Sequence, residues 1–286
     1  MSFTLARDFS LRYTDFYMKK ILSHPHGKLG IDLYKDTVIP IVKQVRGIVL
    51  PQFGFAEGLA KESAVPGDVV TLLDIEVETF LREKLASAYP AISFVGEETG
   101  GDRDAKCFWL VDPIDGTNDY IRGLPFCTTA IALIENGEVV FSVIYDFVAD
   151  VVYWAEKGKG AFRDETPIYV STRKMDKSFV ALEIKFAKPE SDATLLKFFK
   201  AVTVVKTVSA SWEFAMVACG KLDAKVSWDP WGYDYDFAPG SLLVREAGGV
   251  ATNVGSTTYD YRDRTHVFSN KENHSELQKL ITEAGL

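Results

Sequence analysis

The segment "WLVDPIDGTNDY", Trp109 to Tyr120, closes an apolar run with two aspartates, Asp112 and Asp115, and leads directly into Gly116 and Thr117. Other acidic groups punctuate the chain: Asp74 in "VTLLD", Glu97 and Glu98 in "VGEETG", and Asp229, Asp234 and Asp236 in "WDPWGYDYDFAPG". All but the first lie at junctions between regular elements, where side chains from distant segments can converge on one cleft. Gathered carboxylates repel and are tolerable at neutral pH only if protons or cations compensate them. Asp and Glu oxygens with a backbone carbonyl suit Mg2+, which keeps several waters and favours a site shared with substrate phosphate. Two such ions can clamp a phosphate and lower the pKa of an attacking water. If Gly116 and Thr117 open a helix or polar turn, their N–H groups can bind phosphate oxygens. Gly116 allows close approach, and the Thr117 hydroxyl can orient a water.

Each feature alone has an ordinary explanation. Aspartate is a favoured turn and cap residue. Asp74 could complete a capping box with Thr71, Asp236 could cap the helix after it, and Glu97 and Glu98 could be a solvated loop. It is the joint occurrence that points to a site. Other hydrolytic chemistries find little support: His24, His26, His266 and His274 lie outside these motifs, and no Gly-x-Ser-x-Gly elbow accompanies them. No Cys/His pair has zinc-ligand spacing. "KGKG" reads as a hairpin turn, and Trp154 and Trp212 read as core.

The elements that must position these groups follow from periodicity. Residues 1–27, ending in "SHPHG", read as a short helix or arm. Apolar positions from Ile31 to about Ala60 follow a helical period that Pro40 should kink or restart. In "VVTLLDIEVETFLREKLASAYP", Leu73, Val77, Phe80, Leu81, Leu85 and Ala88 predict a helix stopped by Pro90. "FWLV", "CTTAIALI", "EVVFSVIYD" and "VVYWAE" predict a mostly antiparallel sheet with turns at "ENGE" and "KGKG". Beyond Pro167 strands and helices alternate: "FVALEI", a helix over Ser191 to Ala201, "VTVVKTV", and a helix over Ser211 to Cys219 closed by Gly220. A strand "AKVSW", a helix from about Ala238 to Ala247 ended by Gly248 and Gly249, and a C-terminal amphipathic helix complete the chain.

With 286 residues, 47% hydrophobic and 13% aromatic, the chain can bury a large core without disulfides or a structural metal. No linker-like stretch divides it, so a single unit with two subdomains is expected. These are residues 1–165, α+β and carrying most of the acidic groups, and residues 166–286, α/β and carrying Asp236. Cys107, Cys127 and Cys219 read as core thiols of a protein from a reducing, cytoplasmic setting. The N-terminal residues resemble neither a signal peptide nor a membrane span. A net charge of −8 argues against broad nucleic-acid or anionic-membrane binding.

In order and spacing, "VVTLLDIEVE", "VGEETG", "WLVDPIDGTNDYIRGLPF" and "YDFAPGSLLVREAGG" resemble the four signature regions of the inositol monophosphatase family of Mg2+-dependent, lithium-sensitive phosphatases. The resemblance covers roughly residues 31 to 284. It implies a layered αβαβα sandwich, hydrolysis of a small phosphate ester such as inositol monophosphate or another polyol or sugar phosphate, and a homodimer. It implies that Glu97, Asp112 and the Ile114 carbonyl bind one Mg2+, that Asp112, Asp115 and Asp236 bind a second, and that Glu97 with waters could hold a third. Asp74 and Thr117 match the pair that positions the nucleophilic water, and Gly116 and Thr117 match the phosphate-binding amides. Ala210 matches a substrate contact. Where the family's inositol binders carry a glutamate ahead of the last metal aspartate, two extra residues leave Ser227 or Asp229 at the equivalent place. Trp231, Tyr233 and Tyr235 make that loop unusually aromatic, and Lys61 or its neighbours stand near the place of a basic loop residue. Fructose-1,6-bisphosphatase, histidinol-phosphate phosphatase and 3'(2'),5'-bisphosphate nucleotidase share the metal chemistry and are alternatives within the superfamily. A non-catalytic binding homologue is the alternative outside it.

Overall fold

Alternating β-branched and aromatic residues in the middle of the chain build the larger of two main sheets. The computed structural model describes residues 34–60, 69–185 and 190–283; the arm expected over residues 1–27, and Lys61, lie outside them. A short antiparallel pair, β1 (Leu59–Ala60) and β2 (Val69–Val70), precedes the main sheet. The main sheet contains β3 (Ser93–Gly96), β4 (Cys107–Asp115), β5 (Thr128–Glu135), β6 (Glu138–Asp146), β7 (Val151–Glu156), β8 (Gly160–Arg163) and β9 (Thr166–Pro167), paired in that order. β3 runs parallel to β4, and every later pair is antiparallel. The "ENGE" turn works because Asn136 and Gly137 both take positive φ, 49° and 83°, matching the twist of the flanking strands.

A five-stranded sheet follows: β10 (Phe179–Ile184), β11 (Thr203–Lys206), β12 (Ala224–Asp229), β13 (Val250–Thr252) and β14 (His266–Ser269), in the order β11-β10-β12-β14-β13. β10 is parallel to both β11 and β12, while β14 is antiparallel to β12 and β13.

The helices are α1 (Lys35–Lys43), α2 (Val45–Val49), α3 (Leu72–Ala88), α4 (Thr117–Arg122), α5 (Glu190–Ala201), α6 (Ala210–Ala218), α7 (Asp234–Glu246) and α8 (His274–Thr282). Two differ from expectation, both around a proline. Of the helix expected from Ile31 to about Ala60, residues 31–33 lie outside the described residues, and the rest is α1, α2 and a 3-10 turn at Leu50–Gln52, with β1 rather than helix at Leu59–Ala60. Pro40 lies inside α1, and the restart comes at Gln44, whose side-chain Nε2 donates to the Pro40 carbonyl at 2.9 Å while its backbone N–H donates to the Ile41 carbonyl at 3.1 Å. The helix expected from Ala238 begins at Asp234, with Pro239 inside it. In both helices proline is the sixth residue, so a single ladder hydrogen bond is lost just beyond the first turn, whose N–H groups have no intrahelical acceptor anyway.

The layers follow from which residues share a core. Trp109, Val111, Ile131, Leu133 and Val143 pack on one face of the larger sheet with Val38, Val42 and Val45 of α1 and α2 and Val77 and Leu81 of α3. Phe108, Leu110, Ala130 and Ala132 face the other way, onto Phe214 of α6 and Phe237, Leu242 and Leu243 of α7. The same core includes Ala251 and Phe268 of the smaller sheet, whose opposite face packs Val180, Val226 and Val267 on Phe198 of α5 and Leu277 and Ile281 of α8. The result is the expected αβαβα sandwich. The three cysteines are unpaired, with Cys127 buried and the others partly so. Among the described residues no helix is long and apolar enough to cross a membrane.

Candidate active site

In a regular strand residues three apart point to opposite faces, so Asp112 and Asp115 should not meet. β4 resolves this with a bulge. Asp112 pairs with Ala130 but Asp115 with Thr128, so three residues of β4 span two of β5. Pro113 sits in the irregularity, where its missing N–H costs no ladder bond, and its carbonyl accepts from the buried Thr129 hydroxyl at 2.8 Å. The change of face is visible in the packing. Phe108 and Leu110 face the α6/α7 layer, yet Ile114, which simple alternation would place with them, packs with Trp109 and Val111. Asp112 and Asp115 therefore share a face, toward α6 and α7.

Asp236 from α7 meets them. One oxygen from each of Asp112, Asp115 and Asp236 can be chosen so that all three lie within 4.8 Å of one another. Asp112 is 1% and Asp115 7% exposed, so their charges are poorly hydrated. Burial, then the charges of Glu97, Asp236 and Asp115, hold the Asp112 carboxyl well above the usual carboxylate range. Burial and the charges of Asp115 and Glu97 do the same to Asp236. Burial also raises Asp115, against hydrogen bonds from Ser211 and Ser209 and the positive charge of Lys225. Asp112 Oδ1 is buried and has no hydrogen-bond partner among the described residues. An orphaned carboxylate oxygen in a cluster of like charges is the setting a divalent cation fits.

Two of the three aspartates are held from behind. Asp115 Oδ2 accepts from the Ser209 hydroxyl at 2.8 Å and from the Ser211 N–H, at the start of α6. Asp236 is the third residue of α7, and its Oδ2 accepts the Tyr233 N–H, so it caps this helix from within. Glu97 follows β3, and its N–H donates to the Val111 carbonyl at 3.0 Å, which docks its loop beside Asp112. Its oxygens do not join the set of three, although its charge acts on both Asp112 and Asp236.

Asp74 approaches on the N-terminus of α3. The capping box with Thr71 forms: Asp74 Oδ2 accepts the Thr71 N–H and hydroxyl, both at 2.7 Å, while Thr71 Oγ1 accepts the Leu73 N–H at 3.1 Å. This ordinary role does not exhaust the side chain. Asp74 Oδ1 lies 3.1 Å from Thr117 Oγ1, which is also 3.0 Å from the Ile114 carbonyl. Gly116 is the residue before α4, with φ of 86°, and a Cβ there would lie 2.4 Å from the Phe126 carbonyl oxygen. Only glycine fits.

The residues matched to substrate contacts fall in different settings. Ala210 opens α6 between Ser209 and Ser211, beside the Asp115 carboxylate. Ser227 is fully buried in β12, and its hydroxyl donates to the Glu183 carbonyl at 2.6 Å, so that proton faces the sheet. Asp229 ends β12, where its backbone carbonyl accepts from the Lys185 N–H at 2.9 Å.

Several supporting groups escape sequence reasoning. Glu78, fully buried on α3, holds the Glu97 loop, and the only sequence hint is Gly96, where a Cβ would lie 2.2 Å from the Glu78 carboxyl carbon. Ser209 and Ser211 carry no signal beyond a helix-start composition. Glu183, Glu213 and Lys225 form a buried ionic cluster whose members lie on three different elements.

The layered sandwich and its acid pocket define a phosphoric monoester hydrolase. The chain belongs to the inositol monophosphatase family, whose model matches residues 34–285. It is 32% identical over 253 residues to an inositol-1-monophosphatase from Caulobacter vibrioides, covering 85% of this chain and 98% of that one. It is 29% identical over 270 residues to an inositol monophosphatase from Dictyostelium discoideum, covering 89% and 97%. The structure resembles that of a Thermotoga maritima IMPase with a TM-score of 0.79 at 25% identity, covering 87% of this chain and 97% of that chain.

Proposed function

We propose that the protein hydrolyses the phosphomonoester of a small alcohol, inositol monophosphate or a similar polyol or sugar phosphate, with Mg2+ held in the carboxylate pocket. The observation that carries this reading is the convergence of Asp112, Asp115 and Asp236, with Asp112 Oδ1 buried and unpartnered among the described residues. Glu97, Asp112, Asp115 and Asp236 and the Ile114 carbonyl would hold two or three ions. Bound there, Mg2+ would offset the negative charge of the phosphate and make a water more acidic.

The chain's own groups do the rest. Thr117 Oγ1, donating to Asp74 Oδ1, keeps a lone pair for a proton of the attacking water, and Asp74 takes the proton that Thr117 passes on. The N–H groups of Gly116 and Thr117 orient the phosphate, since first-turn amides have no acceptor in their own helix. Water oxygen bonds to phosphorus as the bond to the alcohol oxygen breaks; the departing oxygen takes a proton from solvent water to give alcohol and inorganic phosphate, and Asp74 returns its proton to solvent. Positioning and electrostatics supply the rate. Ala210, at the start of α6, and Asp229, at the end of β12, are the proposed contacts to the alcohol; the buried hydroxyl of Ser227 supports that role less well.

Phosphate release from a panel of inositol, sugar, histidinol and nucleotide monoesters and bisphosphates, with and without Mg2+, tests the reading. Mg2+-dependent release is expected, reduced more than about 100-fold in Asp112→Asn. Undiminished activity in that variant, or no release from any ester at saturating Mg2+, would overturn it. The reading includes a cytoplasmic homodimer, and light scattering on the purified chain checks the stoichiometry.

A further inference from the structure

Lys225 is an unusual residue for a central strand: it is the second residue of β12 and 0% exposed, with the whole side chain inside the molecule. A buried ammonium is costly unless every proton finds an acceptor and its charge is matched. Here all three protons are used. Nζ donates to Glu213 Oε2 and to Thr207 Oγ1, each at 2.5 Å, and lies 3.1 Å from Glu183 Oε2. The two carboxylates are themselves buried, at 3% and 1% exposure.

What those carboxylates do with their remaining atoms gives the cluster its direction. Glu183 Oε1 accepts the N–H groups of Trp231 and Gly232, both at 2.8 Å, and so fixes the loop that leads into Asp236. Glu213 Oε1 accepts the Val208 N–H at 2.9 Å, and its Oε2 accepts the Thr207 hydroxyl at 2.8 Å. That pair fixes the loop that leads into Ser209 and Ser211, the two residues that hold Asp115. Two loops from distant parts of the chain, one leading into Asp236 and the other into the serines that hold Asp115, are thus tied to a single ammonium.

The geometry points to Lys225 as a positioning residue that sets the separation of Asp115 and Asp236, and with it the affinity of the pocket for divalent cations. The inference rests on the metal-site reading above. Lys225 touches none of the three aspartates through a hydrogen bond, but its positive charge reaches Asp115, as the negative charge of Glu183 reaches Asp236. Removing it leaves two buried carboxylates facing each other, and the loops they hold would move apart.

Isothermal titration of the full chain with Mn2+ and with Mg2+ alone measures this without substrate. Two variants probe it: Lys225→Met, which removes the ammonium, and Glu183→Gln, which weakens one arm yet keeps an acceptor for Trp231 and Gly232 and stands the better chance of folding. Leu277→Ala, in the core between the smaller sheet and α8, controls for simple destabilisation, since a cavity there loosens the fold far from the pocket. Ion affinity is expected to fall 10- to 100-fold in both probing variants, the range seen when groups behind metal ligands are changed. It should hold constant in Leu277→Ala even though that variant melts earlier. Unchanged affinity in folded Glu183→Gln, or an equal loss in Leu277→Ala, would overturn the inference. If the wild type binds the ions but releases no phosphate, the catalytic reading fails and the role of Lys225 is still decided by the titrations. A wild type that binds no divalent ion overturns both.

Discussion

The Glu78 carboxylate accepts the backbone N–H of Glu98 at 2.7 Å, so a fully buried acid on α3 holds the loop that presents Glu97. Its other oxygen accepts the Thr99 N–H at 3.1 Å and a proton from Arg82 at 3.2 Å. Glu78→Gln turns one of those acceptors into a donor aimed at an N–H. Urea melts should show a loss of about 1–3 kcal/mol, the cost of leaving a buried group unsatisfied. The Mg2+ concentration for half-maximal phosphate release should rise with it. A variant of wild-type stability and Mg2+ dependence would show that the loop is held by other means.

The Thr117 hydroxyl stands between Asp74 Oδ1 and the Ile114 carbonyl. Thr117→Val keeps the shape and removes the proton relay, and kcat should fall by about 10^2-fold or more, the lower end of what positioned acid–base groups contribute. Thr117→Ser should stay within a few-fold of wild type. Steady-state kinetics at saturating Mg2+ decide it: an equal loss in both variants would point to packing by the Thr117 methyl rather than to its hydroxyl.

Gly116 occupies the left-handed region with φ of 86°, and its missing Cβ is what admits the Phe126 carbonyl. Gly116→Ala adds about 1–2 kcal/mol of backbone strain and a contact with main chain that cannot rotate away. The expected result is a lower melting temperature with kcat reduced further than stability alone explains, because Gly116 and Thr117 lie in the same turn. Thermal melts and activity measured well below the transition separate the two effects.

His266 is fully buried among Phe214, Phe237 and Phe268, with Nδ1 donating to the Arg264 carbonyl at 3.0 Å and Nε2 without a partner among the described residues. Burial lowers its pKa to about 4, from an ordinary value of 6.5. The folded state therefore resists a proton that the unfolded chain takes up. Its contribution is present in full above pH 6.5 and is lost as pH falls from 6.5 toward 4. Over that window the loss is about 3 kcal/mol. Wild type should lose stability relative to His266→Asn as the pH is lowered, by urea melts at pH 8, 6 and 4.5; a constant difference would contradict the assignment.

Much of the pocket is legible in the sequence because its donors stand where chemistry marks them. Asp115 precedes Gly116 at the end of an apolar run, Asp236 precedes "FAPG", and Thr71 with Asp74 spells a capping box. The groups behind these are harder to read. Glu183 and Lys225 look like solvated positions of two separate strands, and only the parallel pairing of β10 with β12 places them side by side. Strand order is a tertiary fact that periodicity does not carry. The early start of α7 is hidden for a local reason: proline is at home in the first turn of a helix, so Pro239 is compatible with a start near Ala238, whereas four residues ahead of Ala238 the chain is already helical and capped by Asp236.

Acids in reactive clefts commonly work against the fold, so that neutralising them yields a hardier but idle protein. Asp74 departs from that pattern because its two oxygens serve different masters, one closing the first turn of α3 and the other facing Thr117. Drift at this position forfeits helix integrity, about 0.5–2 kcal/mol for a lost cap, together with turnover. Replacing Asp74 with an apolar residue therefore offers no gain in robustness to set against the lost activity, because the same side chain that faces Thr117 also closes its own helix.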